Sequence, residues 1–144
     1  MKTLLLILSI LGVGVLSQVQ AQVPRAFTYQ AHVRNSGGNP IPNQAVSLRF
    51  TISDGPSGAT IFYIETHSTT SNNFGLISVA VGKGNALSRS FDSIPWASGD
   101  KYLTTEMDVL NGSNYVSMGT EQLLSVPFAL YAGATATGTG GGVN

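Results

Sequence analysis

The sequence predicts an all-β protein, an antiparallel β-sandwich of about seven strands. Three observations carry that expectation. Apolar residues recur at every second position after Pro24, clusters of turn-forming residues separate these runs, and no stretch shows the 3.6-residue stripe of an amphipathic helix.

The first strand is expected within 26–34, where Phe27, Tyr29, Ala31 and Val33 share one face. Asn35 to Asn43 is dense in Gly, Asn and Pro and reads as loop, because Pro40 and Pro42 cannot donate to a ladder. The second strand, 45–53, turns Val46, Leu48, Phe50 and Ile52 inward against Ser47, Arg49 and Thr51. A third, 60–68, offers two registers, one with Ile61 and Tyr63 on a face and one with Phe62 and Ile64. The fourth, 76–82, carries Ile77, Val79 and Val81, and Gly82-Lys-Gly-Asn85 ends it. Residues 90–99, with Phe91, Ile94, Pro95 and Trp96, read as a packed connection or a short helical turn. The fifth strand, 101–110, presents Leu103, Thr105, Met107 and Val109 on one side. Asn111-Gly112 marks a hairpin, 115–118 returns from it, and a last strand holds Leu123, Leu124 and Val126. Seven short strands at such spacing suit an immunoglobulin-like or prealbumin-like sandwich. Its expected core is Phe27, Tyr29, Val33, Val46, Leu48, Phe50, Ile52, Ile64, Ile77, Val79, Val81, Trp96, Leu103, Met107, Leu124, Val126 and Phe128. Burying one of the larger of these is worth about 2–3 kcal/mol.

Three segments divide the 144 residues. Residues 1–21 read as a secretory signal peptide: Lys2 gives the positive start, Leu4 to Leu16 the apolar run, and Val19-Gln20-Ala21 the small-residue cleavage site. That run is shorter than the about 20 residues of a membrane span, so no span is expected after signal removal. Residues 22–132 form the β-domain, and 133–144, rich in Gly and Thr, a flexible tail or linker. The expected location is outside the cell or at its surface, reached by the general secretory pathway. With no cysteine, the domain must fold without disulfides. Seven basic and seven acidic residues balance, and losing Lys2 with the signal leaves six against seven, so nucleic acid is not an expected partner. Only 10 % of residues are charged, which leaves a surface of Ser, Thr, Asn, Gln and Gly.

Constellations that carry chemistry are sparse. His32 and His67 fall on polar strand faces, and two histidines without cysteine do not make a zinc site. Gly55-Pro-Ser-Gly58 lacks the spacing of a nucleophile elbow. Glu106 and Asp108 share a strand face at the separation of a glycosidase pair, but that face reads as solvated. Asp108, Asn111, Ser113 and Asn114 gather oxygens in one loop without the carboxylate density calcium requires. Gly82-Lys-Gly-Asn85 resembles a phosphate loop, yet no helix follows it. The expectation is a protein without catalytic residues, metal or cofactor. Tyr63, Tyr102 and Tyr115 are the candidate platform for stacking a sugar, and Leu123, Leu124, Val126 and Phe128 the candidate assembly strand, apolar enough to complete a neighbouring sheet.

Five segments together resemble a family. They are Ala26–Arg34, Gly38–Val46, Phe74–Gly82, Trp96–Leu103 and Gln122–Ala132, of which Leu124-Ser-Val-Pro-Phe-Ala-Leu-Tyr-Ala132 is the most specific. They resemble the N-terminal β-module of exported Bacteroidetes proteins, which precedes collagen-like repeats, tail-fibre-like segments or other surface modules. The resemblance implies a non-catalytic structural module of an extracellular fibre, filament or cell-surface assembly. Partners would then be the protein itself or neighbouring fibre modules. The alternative is an adhesin that holds glycan or another surface. Family members continue for hundreds of residues where this chain stops at Asn144, so the expectation is a fragment or a minimal version that assembles with itself.

Overall fold

A computed structural model describes residues 25–57 and 60–124. The expected signal peptide, tail, and the positions Val126 and Phe128 lie outside the described residues. Within them the protein is all-β. Seven strands run in order: β1 (Phe27–His32), β2 (Ala45–Ser53), β3 (Ile61–Thr70), β4 (Leu76–Val81), β5 (Asn85–Ser88), β6 (Tyr102–Asp108) and β7 (Val116–Gln122). A single 3₁₀ turn, Phe91–Ser93, interrupts the connection between β5 and β6.

The strands form two antiparallel sheets. One has five strands in the order β5-β3-β2-β6-β7, and the other is the pair β1-β4. β2 is central, and its inward residues Val46, Leu48, Phe50 and Ile52 are fully buried. That follows from the strict alternation of the segment, since a strand covered on both flanks and one face loses every second side chain from water. The sheets meet where the Tyr29 ring of β1 stands edge-on to Phe50 of β2, 4.9 Å between centroids. Val33, Tyr63, Ile77, Val81, Ile94 and Leu103 complete the buried cluster, with Phe27, Tyr29, Val79 and Met107 packed around it.

The two layers are unequal. β4 packs against β3 and Tyr29 of β1 lies beside Leu103 and Thr105 of β6, so the second layer stops at β1. The inner face of β7 is left without a strand opposite it among the described residues. Val116 (61 % exposed) and Met118 (50 %) stand on that open face.

The count of strands agrees with the sequence reading, but one member differs. β5 is a strand where a terminating turn was expected, and it pairs with β3 through Ile64, Glu65 and Thr66. β7 carries the return to Gln122, and Leu123 and Leu124 follow it as an extension. Three core expectations are corrected. β3 adopts the register that buries Tyr63, so Ile64 faces the other way and is half-buried. Trp96 leans on Phe91 with its outer side in solvent, because it sits in the turn after the 3₁₀ segment. Leu124 is 78 % exposed, at the point where the chain leaves the sheet.

Candidate functional site

Besides the exposed Arg25–Asp92 ion pair and Asp54, which accepts the Thr60 N–H, four settings of ionisable groups stand out among the described residues, each tied to a strand or turn. The most enclosed is on β3. Tyr63, Glu65 and His67 follow at every second position, so all three point inward. Glu65 is fully buried, and both carboxylate oxygens are used twice. Oε1 accepts the backbone N–H of Gly82 at 2.8 Å and His67 Nε2 at 3.0 Å. Oε2 accepts the backbone N–H of Gly84 at 2.8 Å and the Tyr63 hydroxyl at 2.9 Å. Burial, and then the bond to Glu65, push the Tyr63 phenol well above its ordinary pKa. The glycine-rich turn, expected only to end a strand, holds an anion, and that anion is a side chain of its own fold. It needs glycine at both positions: Gly82 has φ +99, and a Cβ on Gly84 would stand 2.5 Å from His67 Nε2.

Two further carboxylates serve the other face. Arg49 of β2 lies directly opposite Glu106 of β6, and its guanidinium donates to both carboxylate oxygens, at 2.6 and 2.7 Å. The Tyr115 ring lies 4.6 Å beneath the same guanidinium. The Glu106 bond holds the Arg49 pKa above its usual value. Asp108, at the end of β6, caps the loop after it by accepting the N–H of Leu110 and of Asn114, both at 2.9 Å. These backbone bonds lower its pKa. Glu106 and Asp108 thus share a face, as expected, while each is committed to a different structural partner.

The fourth setting is Lys101, buried where β6 begins. Its ammonium donates to the carbonyls of Ser98, Gly99 and Asp100 and lies 5.2 Å over the Phe62 ring. Lys101 forms part of the floor of a cavity of about 520 Å³ that also takes in Phe27, Trp96, Leu123 and Leu124. The cavity opens where the chain enters at β1 and leaves after β7.

The expected tyrosine platform does not assemble. Tyr63 is 2 % exposed and bonded to Glu65, so burial removes it from any surface site. Tyr102 and Tyr115 both lie half-buried on the outer face of the five-stranded sheet, but at opposite ends of β6: Tyr102 pairs with Gln122, while Tyr115 covers Arg49 beside Glu106. Of the expected assembly strand, Leu123 packs against the core with its N–H on the Lys101 carbonyl, and Leu124 projects outward. His67 is turned inward against Glu65 and edge-on to Phe50, instead of outward; His32 is exposed, beside the Phe74 carbonyl. Among the described residues, no group of three or more His, Cys, Asp or Glu is placed to hold a metal ion.

Sequence reasoning missed Glu65. The available signal was the spacing Tyr63-x-Glu65-x-His67 on one face, followed by two glycines 17 and 19 residues later.

The described chain is thus an antiparallel β-sandwich module whose acidic and basic groups are largely engaged in holding strands and turns together, with an apolar sheet face left open. Residues 28–121 match the family model described as "Domain of unknown function (DUF8740)", and the chain belongs to that family. Neither a curated protein nor a solved structure matches it. No described helix is long and apolar enough to cross a membrane.

Proposed function

We propose that this protein is an exported, non-catalytic structural module that is built into a larger assembly outside the cell. The observation that carries the reading is the open inner face at β7, with Val116 and Met118 exposed beside a β1 that pairs only with β4 among the described residues. An apolar sheet face next to an unpaired strand edge is a seat for one more strand. The ionisable groups support the same reading, since Glu65, Arg49, Glu106, Asp108 and Lys101 all hold the scaffold in place. The signal-like leader and the resemblance to Bacteroidetes surface modules supply the location, with neighbouring fibre modules or further copies as partners. The immunoglobulin-like or prealbumin-like assignment rests on the seven strands and two facing layers.

Fractionation of producing cells, with protease shaving of intact cells, tests this. The reading expects the protein in a sedimenting, externally accessible assembly. Recovery only as a free monomer inside the cell would contradict it.

The adhesin alternative draws on the outer face, where the half-buried Tyr115 ring, Arg49 and Glu106 combine an aromatic plane with charged hydrogen-bonding groups. A glycan array separates the two readings: an adhesin loses a bound sugar on Tyr115→Ala, and a purely structural module shows no sugar to lose.

A further inference from the structure

The two ends of the sandwich carry different things. Strand pairing puts the β1–β2, β3–β4 and β6–β7 loops at one end, since His32 pairs with Leu76, Ala45 with Thr70 and Ser47 with Asp108. The described chain enters at Arg25 and leaves at Leu124 at the other end, where Phe27 meets Val81 and Tyr102 meets Gln122. Neighbouring segments are therefore attached away from the three loops.

Hydrogen bonds tie the loops to one another. The Asn43 N–H donates to the Asn72 carbonyl at 3.4 Å, the Ser71 hydroxyl to the Ile41 carbonyl at 2.7 Å, and the Gln44 amide to the Val109 carbonyl at 3.1 Å. The β1–β2 loop thus bridges the other two. Two large apolar side chains project from this braced end, Phe74 (74 % exposed) and Leu110 (80 % exposed). Each is held in the same way, by a side-chain oxygen two residues earlier that accepts its N–H. Asn72 Oδ1 does this for Phe74 at 2.8 Å, and Asp108 Oδ1 for Leu110 at 2.9 Å. A backbone fixed beforehand leaves little to order on docking, which favours both residues as interface anchors.

The chemistry around them selects the partner. Residues 35–44, 71–75 and 109–115 contain no charged side chain and are mostly Asn, Gln, Ser, Gly and Pro. Arg34 and Asp108 flank them, the guanidinium donating to the Gly38 carbonyl at 2.8 Å and the carboxylate buried in its cap. In a two-fold contact a patch meets its own copy, so every charge it carries faces a like charge. A neutral patch with apolar anchors and amide side chains escapes that repulsion. Its twenty-two residues also fall within the about 20–30 residues a side of a stable protein–protein contact.

We propose that this loop end docks on the same end of a second copy of the chain, with Phe74 and Leu110 as the anchors. The inference rests on the assembly reading and deepens it, through a surface separate from the open face of β7. Two modules joined in this way keep their entry and exit points at the far ends of the pair.

Sedimentation equilibrium of the purified mature chain tests it. A monomer–dimer equilibrium is expected, weakened about tenfold or more by Phe74→Ser and by Leu110→Ser and unchanged by Met118→Ser. Both loop variants should keep the parental melting midpoint, since neither side chain is buried. The chain holds no cysteine, so a short bis-maleimide should join Ser113→Cys chains in pairs, and Ser57→Cys chains, altered in the β2–β3 turn at the other end, several-fold less. A monomer at every concentration would overturn the inference and leave the assembly reading to cell fractionation. A dimer weakened by Met118→Ser but not by Phe74→Ser would also overturn it, and would move the contact to β7. Monomers that sediment with phosphatidylcholine vesicles, and cease to with Phe74→Ser, would overturn it by giving the loop end to a lipid surface.

Discussion

Glu65 shows how one residue can organise a fold that contains few charges. A carboxylate removed from water is tolerated only where every lone pair finds a donor. Here two backbone N–H groups, a phenol and an imidazole supply them. Glu65→Ala would leave those four donors without their acceptor and is expected to lower stability by about 3–5 kcal/mol, measured by urea unfolding. Glu65→Gln keeps one acceptor oxygen but turns an amide N–H₂ toward other donors, so an intermediate loss is expected. A parental midpoint for the alanine variant would show that the cluster does not hold β3 to the β4–β5 turn. Asp54, exposed, accepts hydrogen bonds from the Thr60 side chain and backbone, and Asp108, buried at the end of β6, accepts the backbone N–H groups of Leu110 and Asn114; those bonds lower both pKa values. The sign follows directly. A carboxyl that is more acidic folded than unfolded stabilises above its ordinary value, near pH 4, and loses that contribution as pH falls through the folded value. Thermal melts should therefore show a midpoint that drops below about pH 4, with Asp108→Asn reducing the size of the drop.

The strands differ in how far the sequence announced them, and the reason is the range of the forces that make each one. β2 was plain because its alternation is strict and its inward residues are all aliphatic or aromatic. β3 was ambiguous because Ile61-Phe-Tyr-Ile64 is apolar on both faces, and only the pairing to Gly82 and Gly84 decides which side Tyr63 takes. β5 was hidden, since Asn85-Ala-Leu-Ser88 is short, lacks alternation and follows a glycine turn that looks terminal. The same long-range pairing concealed the role of Glu65: a lone carboxylate beside His67 reads as solvent-facing until a turn 17 residues away folds over it. The candidate tyrosines failed as a group for a related reason, because residue type alone does not say which faces coincide. Gly84 tests this element-level account. Its missing Cβ would meet the Thr66 carbonyl at 2.7 Å as well as the His67 ring, so Gly84→Ala should open the β3–β5 edge and lower the melting midpoint by several degrees. An unchanged midpoint would mean that the close approach is not required.

At the scale of the molecule, a five-stranded sheet faces a two-stranded one, and among the described residues the mismatch leaves the inner face of β7 without a strand opposite it. That face is the seat on which the assembly reading rests. Hydrogen–deuterium exchange, compared between the free protein and its sedimenting assembly, tests that seat most directly. Amides of β1 and β7 should exchange several-fold more slowly in the assembly, while those of the central strand β2 stay equally slow in both states. Equal exchange of β1 and β7 in the two states would contradict the account.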